Sequence, residues 1–236
     1  MLQAGEPYTV EMMVDDVVTA TFYLLVVNFN KDTGQPSVPE IELNINGPKG
    51  EHLDLQNASA DGVCMGAMMG YQCFAVHPSP GVWKVAVESK EEPEGTAGFS
   101  VHTRFEGGVQ VVPTLSKQQA DPGEEIEITV TVHDPSPVEG ANVSAFLLDN
   151  DTGAANPYTA SLQLTDRGGG EYSQRLAVPQ KGIFSVSIYV DGTNTRGHAF
   201  ARTETELLEI GTGNPNSPFG ERPYETVTPA PDSREP

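Results

Sequence analysis

No stretch of the chain approaches the roughly 20 consecutive apolar residues that a membrane-spanning helix requires. The richest stretch, Val17 to Val27, is interrupted by Thr19 and Thr21 and reads as a buried strand. The opening Met1-Leu-Gln-Ala-Gly-Glu6 has neither the basic start nor the apolar segment of a signal peptide, which fits either a cytosolic protein or a piece cut from a longer precursor, and the remaining observations favour the piece. Basic residues are scarce, 13 against 33 acids, for a net charge of −20. A surface of that sign repels nucleic-acid phosphates and anionic lipid, which excludes nucleic acid and membrane insertion from the expected partners. Divalent cations or plain solubility remain as readings of the charge. Helical patterning is also missing, since no segment joins a cap to a 3.6-residue apolar stripe.

Cysteine is nearly absent. Cys64 and Cys73 are the two present, nine positions apart and outside any Cys-x-x-Cys spacing, whereas zinc generally takes four ligands. The pair is therefore read as a disulfide in an oxidising compartment, placing the protein as secreted or on the cell surface, extracellular or periplasmic. Closing so short a loop contributes roughly 2–3 kcal/mol by chain-entropy arithmetic. Met65, Met68 and Met69 fall inside that loop. Methionines either fold beneath such a loop or supply an adaptable surface for a partner.

Recognisable reaction centres are missing as well. The five histidines (His52, His77, His102, His133 and His198) sit on separate predicted strands or loops, with no helix to pair them. There is no Gly-x-Ser-x-Gly elbow for a nucleophile. An excess of acids makes accidental carboxylate pairs common, so no catalytic residue is nominated and the chain is not read as an enzyme. No cofactor is expected beyond a calcium ion, for which Asp149, Asn150 and Asp151 in Leu147-Leu-Asp-Asn-Asp-Thr-Gly153 are the weak candidates, with Asp15 and Asp16 behind them. Calcium wants several converging oxygens, which these side chains can supply. The competing reading is a hairpin turn in which Asp and Asn bond their own backbone. Aromatics are only 7% of residues and Trp83 is the sole tryptophan, placed in an alternating strand that marks it as core. Asn57-Ala-Ser59, Asn142-Val-Ser144 and Asn150-Asp-Thr152 fit the glycosylation sequon and matter only in a eukaryotic source.

Alternation is what the sequence does have. Tyr8 to Val14, Glu40 to Asn46, Val82 to Val87 and Phe99 to Phe105 all place apolar residues at every second position. After a pause the pattern resumes at Glu125 to Val132, Ala141 to Leu148, Thr159 to Leu164, Glu171 to Val178 and Ile183 to Val190, with His198 to Ile210 as a last strand. A period of two puts one set of side chains on a core and the other in water. Twenty-four glycines and 19 prolines, spread along the whole chain, supply turns between short strands. About seven strands per half and short connections predict an all-β protein of two consecutive antiparallel β-sandwich domains, Ig-like, fibronectin-like or jelly-roll-like. Gly107-Gly108 is the best boundary, giving an N-terminal sandwich at 1–107 and an Ig-like sandwich at 108–210. Residues 211–236, rich in Pro and Gly, lack the apolar content to repay ordering and are expected to form a flexible tail.

Three stretches carry a family resemblance: Glu40-Ile-Glu-Leu-Asn-Ile-Asn-Gly-Pro-Lys-Gly50, Pro78-Ser-Pro-Gly-Val-Trp-Lys-Val-Ala-Val87, and Pro137-Val-Glu-Gly-Ala-Asn-Val-Ser-Ala-Phe146 followed by Leu162-Gln-Leu-Thr-Asp-Arg-Gly-Gly-Gly-Glu-Tyr172. In this order the chain resembles the β-sandwich pair that follows the von Willebrand factor A domain in secreted proteins such as calcium-activated chloride channel regulators and their bacterial relatives. The resemblance covers about Tyr8 to Ile210 and implies a non-catalytic structural or adhesive segment of a multidomain extracellular protein. Its implied partners are other domains of the parent or an extracellular protein. The turn Asp166-Arg-Gly-Gly-Gly-Glu-Tyr172 is shorter and poorer in Asp than in those relatives, which speaks against a calcium site there. The alternative function is a carbohydrate-binding or accessory module of a secreted hydrolase.

Overall fold

The structure, a computed structural model, describes residues 7–29, 36–37, 40–56, 58–67, 70–90, 97–150 and 158–211, and all their regular structure is strand or turn. The first half contains β1 (Tyr8–Val14), β2 (Thr19–Phe29), β3 (Pro36–Ser37), β4 (Ile41–Asn46), β5 (His52–Asp54), β6 (Gly62–Ala67), β7 (Gly70–Val76), β8 (Gly81–Ser89) and β9 (Ala97–Glu106). The second contains β10 (Gln110–Leu115), β11 (Gln119–Ala120), β12 (Glu125–Asp134), β13 (Ser136–Pro137), β14 (Asn142–Asp149), β15 (Thr159–Gln163), β16 (Thr165–Gly168), β17 (Glu171–Ala177), β18 (Gly182–Thr193) and β19 (Ala199–Ile210).

The alternation read from the sequence is what builds the cores. In β4, Ile41, Leu43 and Ile45 are buried while Glu42 and Asn46 face water. In β12, Ile126, Ile128, Val130 and Val132 are buried in the same way. The buried apolar residues divide into two clusters. One runs from Val14 to Val87 and includes Trp83, and the other runs from Val109 to Ile210.

Each cluster lies among two sheets. In the second half, β10-β12-β17-β16 faces β11-β19-β18-β14-β15, an Ig-like order in which the last strand flanks its predecessor. In the first half the sheets are β1-β8-β4-β5 and β9-β2-β7-β6, with the two-residue β3 pairing the end of β2 in the latter. There the end strands have changed places: β1 pairs β8, and β9 pairs β2. Pairing is antiparallel apart from β11, whose Gln119 and Ala120 run parallel to Glu209 and Ile210 of β19.

The residues between the cysteines are a strand hairpin rather than the loop the sequence suggested. Cys64 of β6 and Cys73 of β7 sit directly opposite each other and are joined by a disulfide, with Cα atoms 4.0 Å apart. The sequence signal was weak because Gly-Val-Cys-Met-Gly-Ala carries no clean apolar-polar alternation.

The motifs behind the resemblance are tethers. Trp83 is fully buried, tilts against Phe22 at 5.7 Å between ring centroids, and donates its indole N–H to the Ser79 carbonyl at 2.9 Å. The Gly-Pro-Lys-Gly turn packs on that ring: a Cβ at Gly47 would lie 2.8 Å from Trp83 Cζ2. Tyr172 is also buried, and its hydroxyl donates to the Val138 carbonyl and accepts from the Ala141 amide, both at 2.9 Å. The Pro-Val-x-Gly-Ala and Gly-x-x-Tyr segments are thus two ends of one hydrogen-bonded lock.

Candidate functional site

Two regions stand out once the strands are placed. The first is the joint between the halves. The connection from β1 to β2 is Asp15-Asp16-Val17-Val18, and both acids turn toward the second sandwich. Asp15 is fully buried; one carboxylate oxygen accepts the Val109 amide at 3.0 Å and the other pairs with the Arg202 guanidinium. Arg202, itself buried, also donates to the Val109 carbonyl at 3.2 Å and lies over the Phe105 ring at 4.1 Å. The first half thus contributes a carboxylate and an aromatic ring, and the second a guanidinium and the backbone of Val109, to one buried ion pair.

Asp16 meets the hairpin between β18 and β19. Arg196 Nε lies 3.3 Å from its carboxylate, Asn194 donates to it at 3.2 Å, and His198 Nδ1 contacts it directly. Arg196 reaches on to the buried Asp134 at 3.1 Å. Partial burial pushes the Asp16 carboxyl up, but the bonds from His198 and Asn194 and the charge of Arg196 outweigh it and hold the group below its ordinary value. Gly107 and Gly108 make the crossing, at φ +81° and +69°. A Cβ on Gly108 would come within 2.8 Å of both Asp15 Oδ2 and Val17 Cγ1, so the chain can pass here only as glycine.

Beside this joint, a cleft of about 800 Å³ opens between β1 and β9 on one side and β10 and β19 on the other. Its walls include Met12, His102, Arg104, Val111 and Glu204. Burial, together with the neighbouring Glu206, pushes the Glu204 carboxyl above its ordinary value against the pull of Arg202.

The second region is the sheet β9-β2-β7-β6. Its four strands hold a single acid, Glu106, and a single formal cation, Arg104. The facing sheet carries Glu11, Glu42, Asp54 and Glu88. On the outer side of the acid-poor sheet, Leu25, Val63, Met65 and Val76 are exposed large apolar residues. Exposed apolar side chains gathered on one side of an acid-poor sheet, interspersed with Thr19, Thr21 and Gln72, make that side a candidate contact surface.

The sequence candidates fare differently. Asp15 and Asp16 do not form an open cation cradle, because Arg202, Arg196 and His198 already occupy their carboxylate oxygens. Asp149 is buried and accepts a hydrogen bond from Gln180 at 3.2 Å, while the Asn150 side chain accepts from Ser185 at 3.0 Å. Asp151 lies outside the described residues, as do Met68, Met69, Asn57 and the tail from 212. Among the described residues no three His, Cys, Asp or Glu side chains come together as a metal site. Of the histidines, His52 bonds Asn46 at 2.9 Å, His102 bonds Ser100 at 3.0 Å, and His198 belongs to the Asp16 cluster. Sequence reasoning missed Arg202 and Arg196, which in the sequence look like ordinary solvated charges, one within a strand and one in a turn. The only clue was that basic residues are rare.

No protein-family model and no curated protein matches the chain. Among solved structures it is similar to a DUF4785-family protein of Legionella pneumophila, with 13% identity and a TM-score of 0.57, over 88% of this chain and 60% of that one. A Bacillus licheniformis lipase in its propeptide form aligns at 13% identity and TM-score 0.49, over 87% of this chain and 39% of that one. The Escherichia coli adhesin FdeC aligns at 16% identity and TM-score 0.31, over 86% and 64%. At such identity the Legionella likeness shows a shared fold, and the chain spans 60% of that protein's length. The fold is all-β, with antiparallel sheets packed as sandwich-like units.

Proposed function

We propose that the chain is a non-catalytic structural or adhesive pair of sandwiches in a larger extracellular protein, holding its neighbours at a fixed spacing and presenting a protein-binding face. This is the role implied by the resemblance to the modules that follow a von Willebrand factor A domain. The observation that carries it is the joint. A buried Asp15–Arg202 pair between two sandwiches is costly to open, since losing one partner strands the other charge out of water, at about 3–5 kcal/mol. A catalytic cleft between domains generally needs to open and close, whereas a spacer needs the reverse. The disulfide supports the extracellular setting.

Backbone relaxation by NMR tests the spacer. The two halves tumble as one body in the full chain, and Arg202→Met lets them tumble separately. Independent tumbling in the unaltered chain would end the proposal. Alkylation of the chain from its native source, without reductant, tests the compartment: Cys64 and Cys73 stay unlabelled.

A second reading has one observation in its favour. Phe146 of β14 and Tyr189 of β18 are exposed on the outer side of adjacent strands, at diagonal positions of the register. Aromatic pairs of that kind can stack on sugar faces. Affinity electrophoresis through soluble polysaccharides checks it, and retardation abolished by Tyr189→Ala would favour the carbohydrate-binding module over the spacer.

A further inference from the structure

We infer that the outer edge of β6 is a docking site for an extended strand of another protein, one free of acids and carrying lysine or arginine. This rests on the reading of the chain as a binding module and names where the partner sits. In an antiparallel ladder, residues in non-hydrogen-bonded pairs lie closer than those in bonded pairs, about 4.5 against 5.5 Å between Cα atoms. Cys64 and Cys73 are 4.0 Å apart, so the amide and carbonyl of Cys64 point away from β7. Two residues earlier, Gly62 obeys the same parity: its amide and carbonyl turn outward to Ser59 at 3.3 and 2.9 Å. Two residues later, Gly66 must do likewise. Among the described residues nothing accepts from or donates to the outward groups of Cys64 and Gly66, so that within the described structure two donors and two acceptors face outward in a row.

Other edges are guarded in the ways soluble proteins usually guard them. Glu11 lies on β1, Arg104 on β9 and Asp166 on β16, while Pro113 interrupts β10. The edge of β15 turns short polar side chains, Thr159, Ser161 and Gln163, to solvent. β6 has no charge and no proline, and its outer side chains are Val63 and Met65, exposed by 36% and 47%. It is also pinned to β7 by the disulfide, so its free edge is held straight. Gly66 adds room, since a Cβ there would meet nothing within 4 Å.

A strand added at this edge would bond Cys64 and Gly66 through its backbone, with alternate side chains continuing the apolar face of Val63, Met65 and Phe74. Charge selects which strand. The molecule carries −20, so its field draws a basic segment and repels an acidic one. A second copy would bring another −20 to the same edge and is disfavoured for that reason.

A phage-displayed library of random peptides, each about ten residues long, selected against the full chain and counter-selected against Met65→Lys, tests the assignment. The expected peptides alternate apolar residues, lack Asp and Glu, and carry Lys or Arg. Bound to the full chain, the best of them slows amide exchange at Cys64 and Gly66 by about tenfold or more. Gly66→Pro, which removes an outward amide that β7 does not use and also fixes φ there, abolishes that binding, and the melting temperature and strand circular dichroism, which should be kept, separate this from a loss of the strand. Acid-rich peptides, peptides indifferent to Met65→Lys, or protection elsewhere than β6 would overturn the inference. So would protection of the same two amides by the chain alone as its concentration rises, since a second copy would then hold the edge. None of these outcomes depends on whether the two halves tumble together, so the inference and the spacer reading can fail separately.

Discussion

In the first sandwich the largest buried side chain is Trp83, and its one polar atom is satisfied within its own turn by Ser79. In the second, Tyr172 reaches across the sandwich end to Val138 and Ala141, more than 30 residues earlier in the chain. The first sandwich adds a disulfide between adjacent strands, while the second has no cysteine. The end strands follow the same division. The second half keeps an Ig-like order, whereas the first trades its first and last strands between sheets. One half is fixed by a large apolar body and a covalent clip, the other by a long-range hydrogen-bonded lock. The number of strands and the alternation do not distinguish them; the tethers do.

Breaking each tether should destabilise its own half first. The largest effect is expected of Trp83→Ala, which leaves a cavity against Phe22 and Gly47 and costs about 3–5 kcal/mol. Amide exchange read separately for β4, β8 and β12 checks it: β4 and β8 lose protection while β12 keeps most of its own. Equal loss in both halves would mean that they unfold as one cooperative unit. Reducing the Cys64–Cys73 bond should come next, at roughly 2–3 kcal/mol in the chain-entropy model. Its mark is a thiol-dependent drop in the melting of the first half alone.

Tyr172→Phe removes one hydroxyl and leaves the buried Val138 carbonyl and the Ala141 amide short of a partner, at about 1–3 kcal/mol. Urea unfolding followed on the second half measures this, and the loss should fall below that of Trp83→Ala. A Phe that costs nothing would mean that water replaces the lock.

The fold was legible because burial on one face of a strand leaves a period of two in the sequence, and β4, β12 and β18 show it plainly. β6 and β7 were not legible as strands, because glycines and methionines blur that period and tertiary pairing supplies what local pattern does not. Trp83 could be placed in the core from its neighbours Val85 and Val87 alone. The ion pairs of the joint could not be read. Asp15 and Arg202 are 187 positions apart, and nothing local distinguishes an acid that will be buried from one that stays solvated. Asp15 and Asp16 were noticed as an acidic pair and read as oxygen ligands. The structure shows why that fails: a guanidinium satisfies the same carboxylate oxygens as a metal ion would, and only the fold decides which arrives.

The joint also carries the smallest predicted effect, and it separates the two halves most gently. The Asp16 carboxyl is held below its ordinary value, so its contribution is complete above the unfolded carboxylate range, about pH 4, and is lost as pH falls through the folded value. Protonation removes the carboxylate charge that Arg196, Asn194 and His198 share. The expected result is faster amide exchange in the Asn194–His198 hairpin, corrected for the intrinsic pH dependence of exchange, as pH falls below the ordinary carboxylate range, ahead of any loss in β12 or β18. Asp16→Asn is the control, because an amide cannot titrate: it starts with the looser hairpin at neutral pH and shows no further opening over that interval. If the asparagine variant opens with the same pH profile, some other acid governs the joint, and the two contacts of the acidic pair would have to be weighed again.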